Sequence, residues 1–494
     1  MNDCKRKKMS NGRLSSHFTL PSEEKLKELI GTTKDWALLN GIVMRSKSNY
    51  SRDSVIFAPF TLFPSIFPRV EFEKAVEIQP VLNELMHKVA HDYEFLYNTL
   101  KNTIEVDHFT KKLFEIYEIV RKEGFTQPIY LGIIRSDVML ESLCDGIRVD
   151  PYCCWKQVEI NTISSGFGWL GPASRIIHRF VLERLNRFED LKKLPENNAL
   201  SGICEGLLEA WRFYDNKSAA ILIVVEDMPF NIADQRFHEF ELYKLNPNIR
   251  ILRETLTELS VHAKLDEQRR LLVNGEEIAV VYYRSGYSPE QYPSEKEWDI
   301  RLQIERSKAI KCPTINYHLA GTKRVQQALA VDEVLDKFLK DEEKNKKVKG
   351  IFTGLYSLDL NAAGDEAVEM AVKNPDDFVL KPQREGGGNN VYGDDIPKLL
   401  SEIGKSKERT AFILMNRIRP PVQNNFIIKP GDNDIPSNLD VISELGIFGV
   451  IIGNEKNIIV NKQVGHMLRT KEHSINEGGV AFGAGSLDSP FLSD

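Results

Sequence analysis

Residues Phe378 to Gly393 read FVLKPQREGGGNNVYG, and their chemistry organises the rest of the chain. A strand-like apolar run, Phe378-Val379-Leu380, leads into Lys381, Arg384, Glu385, three consecutive glycines (Gly386, Gly387, Gly388) and the pair Asn389-Asn390. Three glycines cost backbone entropy, and their use is to let main-chain N–H groups close on an anion. Lys381 and Arg384 add positive charge, and Glu385 offers a hard oxygen to Mg²⁺. This reads as a phosphate-binding loop without the Walker pattern G-x-x-x-x-G-K-[ST], which the chain lacks. A flexible surface loop is the alternative for a bare Gly-Gly-Gly. The cations, carboxylate and amides around it favour the phosphate loop.

The 494 residues suffice for about two to four domains. With 42% hydrophobic and 28% charged residues the composition is that of a soluble globular protein. A formal charge of −6 gives no overall pull toward nucleic acid or anionic membranes, so any anion site has to be local. The six cysteines (Cys4, Cys144, Cys153, Cys154, Cys204, Cys312) include no C-x-x-C, and reduced, mostly buried thiols are expected. Residues 1–20 carry the basic run Lys5 to Lys8 but no apolar h-region; a solvated flexible arm is expected, on a cytoplasmic protein. No run approaches the ~18–20 apolar residues of a membrane span.

Residues 21–216 form a first segment, in which the stretch from about Pro21 to Thr126 reads mostly as helices, Val81 to Asn98 among them, and a buried strand from Pro128 ends at Arg135-Ser136-Asp137. In Trp155 to Ile163 the alternation puts Glu159 and Asn161 on one strand face. Those two oxygens suit a hard cation such as Mg²⁺, the alternative being a solvent-exposed edge. Gly166-Phe-Gly-Trp-Leu-Gly171 fits the dinucleotide fingerprint G-x-G-x-x-G, but bulky Phe167 and Trp169 crowd the place of a pyrophosphate. Residues 217–321 read as an α/β module: an apolar strand at Ala220 to Val225, a helix, a strand near Ile249, a hairpin at Asn274-Gly275 and a capping box from Ser294 to Glu297. Residues 322–494 continue with Lys323, the opening loop, strands at Thr410 to Leu414, Asn425 to Ile428 and Phe448 to Ile452, and a second glycine-rich loop, Glu477 to Gly485.

Glu159, Asn161 and Glu385, with Lys323, Lys381 and the glycine loop, describe a Mg-nucleotide site. There is no H-E-x-x-H, no G-x-S-x-G and no kinase signature. Arginines at Arg135, Arg284 and Arg469 suit capture of carboxylates or of a transferred phosphoryl group. The combination suggests ATP-driven activation of an acid: the γ-phosphoryl makes an acyl phosphate, which an amine attacks. Positioning and charge neutralisation can carry such chemistry without a nucleophilic side chain.

The chain resembles the eukaryotic glutathione synthetases, which have an ATP-grasp fold. The resemblance rests on Leu131-Gly-Ile-Ile-Arg-Ser-Asp137, Val158-Glu-Ile-Asn-Thr-Ile-Ser164, Arg284-Ser-Gly-Tyr-Ser-Pro-Glu-Gln-Tyr292, Ile304-Glu-Arg-Ser-Lys-Ala-Ile-Lys-Cys-Pro313, Leu319-Ala-Gly-Thr-Lys323, the opening loop, Ser443-Glu-Leu-Gly-Ile-Phe-Gly449, Leu468-Arg-Thr-Lys471 and Glu477-Gly-Gly-Val-Ala481. It implies a mixed α/β (α+β) ATP-grasp fold with an inserted substrate-binding domain at 217–321, and ATP-dependent joining of γ-glutamylcysteine to glycine by a homodimer. Glu159, Asn161 and Glu385 would hold Mg²⁺. Lys323, Lys381, Glu385, Gly386, Gly387, Gly388, Asn389, Asn390, Tyr392, Met415, Asn416, Arg417, Ile418, Glu444, Lys471 and Glu477 would contact ATP. Arg135 and Arg469 would hold substrate and act in catalysis. Ser164, Ser165, Gly166, Asn231, Gln235, Arg284, Ser285, Gly286, Tyr287, Val480 and Ala481 would contact γ-glutamylcysteine. Two positions depart from the family pattern: Asn416 replaces a glutamate and Gly166 a serine. They leave open a weakly catalytic ATP-binding relative, an NAD enzyme built on Gly166 to Gly171 is a second alternative, and the acceptor stays open between glycine and β-alanine.

Overall fold

The computed structural model describes residues 12–14, 18–144, 146–432, 435–480 and 483–494. A seven-stranded sheet runs through the middle in the order Gln423–Ile428, Phe60–Thr61, Ser486–Asp488, Ile458–Glu472, Asn438–Gly453, Tyr130–Glu141, Cys154–Asn161. Neighbours are antiparallel except where Leu487 pairs with Phe60. The apolar run Ile447 to Ile452 is buried on both faces, which explains its lack of polar alternation. Leu445, Ile447 and Ile451 meet the helix Arg69–Ala90 through Leu82, Leu85, Met86 and Val89. Phe448, Val450 and Ile452 meet the helix Ala199–Tyr214 through Ile203, Leu207 and Trp211.

Three expectations shift here. The helix expected over Val81 to Asn98 is two: Arg69–Ala90 ends first, and Asp92 accepts a hydrogen bond from the Phe95 amide at 2.9 Å to start Tyr93–Leu100. The strand expected to end at Arg135 continues to Glu141. It can do so because Asp137 neutralises Arg135 inside the sheet, both oxygens accepting at 2.7 Å. Gly446 on the adjacent strand gives that pair its room, since a Cβ there would stand 2.7 Å from Asp137 Oδ1. Part of the expected arm is also held in place: Leu14 donates to the Val422 carbonyl at 2.9 Å and Arg13 pairs with Asp440. Lys5 to Lys8 lie outside the described residues.

A second sheet has parallel strands Ile251–Glu254, Ala220–Val224, Glu276–Tyr283 and Ile310–Cys312, with Leu271–Val273 and Ala263–Leu265 added antiparallel. The Asn274-Gly275 hairpin and the Ser294–Glu297 capping box are both formed. A third sheet, Leu355–Ser357, Phe412–Asn416, Phe378–Pro382 and Val391–Tyr392, is antiparallel throughout. It packs on the helices Ala362–Lys373 and Asp395–Ile403 through a core of Leu358, Ala367, Leu380, Ile396 and Leu414. The glycine loop connects its two middle-to-edge strands. Among the described residues no helix is long and apolar enough to cross a membrane. The expectation of free thiols is corrected at one place: Cys144 and Cys153 form a disulfide. The antiparallel pairing of the strands ending at Glu141 and starting at Cys154 brings the two together, which spacing alone did not reveal.

Candidate active site

The floor of a cavity of about 1230 Å³ is one face of the large sheet. Register places Arg135 opposite Asn161, Asp137 opposite Glu159, and Glu444 opposite Arg469. A bulge leaves Val158 as the extra residue between Gln157 and Glu159. Its carbonyl accepts from Lys381 Nζ at 2.8 Å, so an irregularity in the strand fixes a cation over the floor. Asp137 is fully buried; besides Arg135 it accepts from Asn161 Nδ2 at 3.1 Å and lies 3.8 Å from Arg469. Arg469 forks onto Glu444 at 2.7 and 3.2 Å. The arginines expected to await substrate thus already carry internal counter-charges, and a substrate anion here meets an array of nearly balanced charge.

At one corner Lys323, on the first turn of the helix Lys323–Leu329, sits 2.7 Å from Glu385 and 3.3 Å from Glu159. Burial opposes the Lys323 charge, but the two carboxylates outweigh it and raise its pKa. Glu159 and Glu385 respond in opposite directions. Burial opposes ionisation of Glu159, yet Lys323, Lys381 and the two arginines hold its carboxyl well below the usual range. Burial and then the neighbouring Glu159 push Glu385 up. Lys381, buried and facing Lys323, is pushed down despite Glu159. Two partly buried carboxylates converging on one buried ammonium show that this corner requires positive charge. Glu159 and Glu385 offer it hard oxygens, as does Asn161, whose amide nitrogen is taken by Asp137. That donor set fits Mg²⁺.

The roof is made of loops. Gly386, Gly387 and Gly388 have φ of 97°, 71° and 80°, the left-handed region that side chains disfavour. The amides of Gly388 and Asn390 donate to the Glu477 carboxylate, the latter at 2.9 Å. A protein anion thus occupies main-chain donors of the kind that bind phosphate, and the two glycine-rich loops hold each other. Tyr392, Met415, Asn416, Arg417 and Ile418 line the wall behind. The backbone of Met415 to Ile418 is held by hydrogen bonds of 2.8 Å from the Asn416 amide to the Gly354 carbonyl and from the Arg417 amide to the Asp377 carbonyl. Burial pushes Lys471 down to about 8.

At the other end Ser164, Ser165, Gly166, Asn231 and Tyr287 line the cavity, with Val480 at its edge. Arg284, Ser285, Gly286, Gln235 and Gly388 do not reach its surface. Arg284 stands behind the wall: it donates to the Ser165 carbonyl at 2.7 Å and to Asp234 at 3.1 Å. Asp234 in turn accepts the amides of Phe167, Trp169 and Leu170 at 2.9–3.1 Å, capping the helix Leu170–Arg184. Gln235 is tied to Asn231 at 2.7 Å. Ala481 lies outside the described residues. Asp137 and Asp234 escaped the sequence reading because nothing local to an aspartate says that it will be buried against an arginine. Asp137 meets Arg135 along one strand face, and Asp234 meets Arg284 only once folding brings the helix Ile232–Leu245 to the end of the strand Glu276–Tyr283. The Gly166–Gly171 run is not arranged for a dinucleotide. A Cβ on Gly168 would strike His238 at 2.4 Å and one on Gly171 the His466 carbonyl at 2.6 Å, while Trp169 stacks on Phe237 at 3.9 Å. Gly168 and Gly171 serve close packing.

The model for the ATP-binding domain of eukaryotic glutathione synthase matches residues 23–492. The chain belongs to the eukaryotic glutathione synthase family. Glutathione synthetase of Xenopus laevis is 44% identical over 469 residues, covering 94% of this chain and 97% of the relative. That of Homo sapiens is 43% identical over 475 residues, covering 96% and 98%. Among solved structures, a glutathione synthetase-like effector from Globodera pallida in its apo form superposes with a TM-score of 0.76 at 26% identity, covering 96% of this chain and 98% of that one. Membership in the family makes the chain an ATP-dependent ligase with an ATP-grasp type of fold.

Proposed function

We propose that this ligase of glutathione synthesis joins γ-glutamylcysteine to glycine through an acyl phosphate, with Mg²⁺ held by Glu159, Asn161 and Glu385. The observation that carries the reading is the convergence of Glu159, Glu385, Lys323 and the glycine loop on one cavity in a chain of this family. Mg²⁺ bound there supplies neutralisation of phosphate charge. Lys323 and Lys381 place two further cations at the phosphates, and the loop amides, released from Glu477, close on them. Residues Met415 to Ile418 hold the base.

Arg135 and Arg469, fixed by Asp137 and Glu444, lie where charge develops as the γ-phosphoryl passes to the substrate carboxylate. The Ser164–Gly166 loop, braced by Arg284, seats γ-glutamylcysteine against Asn231 and Tyr287. The two glycine loops keep water from the acyl phosphate until the amine attacks. Glycine is the acceptor on the resemblance of Val480-Ala481 to the glycine-using form; the working form is a homodimer, as the family resemblance implies, and its place is the cytoplasm.

ADP release is the test: it should require γ-glutamylcysteine, glycine and Mg²⁺ together. Equal release without the thiol dipeptide would overturn the assignment. Glu385→Gln should stay folded and lose most turnover; near-normal activity would remove Glu385 from the metal site.

A further inference from the structure

The Cys144–Cys153 disulfide lies outside the cavity yet touches the machinery that shapes it. Cys144 sits on the strand Leu143–Cys144, paired with Ile147–Arg148, and Cys153 directly precedes the strand Cys154–Asn161. The disulfide therefore closes the connection between the two strands that carry Arg135 and Glu159. Cys154 is a free thiol whose sulfur lies 3.5 Å from that of Cys144. All three are half-buried, within reach of a small reagent.

The same connection grips the nucleotide hinge. Glu141 Oε1 accepts from the Arg419 amide at 3.1 Å and from the Leu143 amide at 2.8 Å. The Ser142 amide donates to the Arg419 carbonyl at 3.0 Å. Ser142 is held from within the closed loop: its hydroxyl donates to the Pro151 carbonyl at 2.7 Å, and its carbonyl accepts from Val149 at 2.9 Å. The Cys153 amide donates to the Glu141 carbonyl at 2.8 Å. Arg419 lines the cavity directly after Met415 to Ile418, and its guanidinium reaches Asp377 at 2.8 Å on the opposite side. Opening the disulfide frees the loop ends and so relaxes one of the two grips on this hinge.

We propose that the Cys144–Cys153–Cys154 cluster is a thiol–disulfide exchange site for low-molecular-weight thiols, and that its oxidation state sets nucleotide affinity through the Glu141–Ser142 grip on Arg419. In the internal step the Cys154 thiolate attacks the Cys144 sulfur. A Cys154–Cys144 bond forms, the Cys144–Cys153 bond breaks, and its electron pair leaves on the Cys153 sulfur, which takes a proton from water. In full reduction one external thiolate forms a mixed disulfide and a second displaces it. Two external thiols are thereby oxidised to one disulfide, and two protein thiols result. The proposal rests on the reading of Met415 to Ile418 as the base-holding hinge.

The experiment uses the full chain, as purified and after dithiothreitol treatment and anaerobic desalting. Alkylation with mass analysis should find Cys144 and Cys153 protected in the untreated protein and modified after reduction. Reduction should raise KM for ATP about threefold or more, with kcat and KM for glycine little changed. Cys144→Ser/Cys153→Ser should show the raised value in both states, and Cys154→Ser should keep the response while losing the Cys154–Cys144 mixed species. Full alkylation of Cys144 and Cys153 before reduction, or equal KM for ATP in both states, would overturn the proposal. Absence of ATP turnover in either state would overturn it together with the ligase reading.

Discussion

Replacing Lys323 by glutamine leaves two partly buried carboxylates facing each other with their shared counter-ion gone. Lys323 Nζ stands 2.7 Å from Glu385 and 3.3 Å from Glu159. At an effective dielectric of about 20 the two contacts are worth roughly 6 and 5 kcal/mol of Coulomb energy. Most of the resulting imbalance relaxes by proton uptake at Glu385, which burial and Glu159 already push up. The expected net loss is that of breaking a buried pair, about 3–5 kcal/mol. At about 2 °C per kcal/mol for a large domain, the apparent Tm should fall by roughly 6–10 °C.

The pH dependence follows from the direction of the Glu385 shift. In Lys323→Gln the folded state keeps a proton that the unfolded chain releases, so its stability should decline as pH rises above the ordinary glutamate range. Thermal melts in EDTA at pH 5.5 and 7.5 should show the larger deficit at pH 7.5. Adding Mg²⁺ should restore part of the loss at both pH values. A variant melting within about 2 °C of the parent at both pH values would refute the account of this corner as one that demands positive charge.

Other changes probe the sheet beneath the cavity and the loops and walls around it. Burial lifts Asp488 to about 6 from its ordinary 3.8, so its contribution to stability is present at low pH and lost as pH rises through 6. Asp488→Asn, which stays neutral, should therefore gain on the parent by roughly 1–3 kcal/mol at pH 7.5 but not at pH 4, as read from denaturant melts; equal gains at both would contradict this. Glu477→Ala removes the acceptor of the Gly388 and Asn390 amides, and hydrogen exchange there should quicken about tenfold in the nucleotide-free protein; unchanged protection would mean that the loops do not hold each other in solution. Arg284→Lys cannot bridge the Ser165 carbonyl and Asp234 at once. KM for γ-glutamylcysteine should rise about tenfold while KM for ATP stays put, and a uniform loss of kcat would argue for general disruption instead.

Much of this was legible in the chain itself. The alternation around Glu159 and Asn161, the run of three glycines and the residue types at Lys323 and Lys381 are local patterns that can be read along the chain. The hairpin at Asn274-Gly275 and the capping box at Ser294 depend on a few adjacent residues, and they form where those residues stand. Such features are fixed by short-range sterics and hydrogen bonding, which a sequence carries in full.

Only the tertiary structure decided which charges meet. Arg135 and Arg469 looked like clamps awaiting substrate; Arg135 turns instead to Asp137 on the same face of its own strand, and sheet register gives Arg469 Glu444 as its partner. Arg284 looked like a wall residue and stands behind the wall, holding Asp234. Glu477, 89 residues from Gly388, closes on its amide. Cys144 and Cys153 meet because the strands on either side of them pair. Coulomb energy depends on separation in space and on burial, and neither is written in the spacing of residues along the chain.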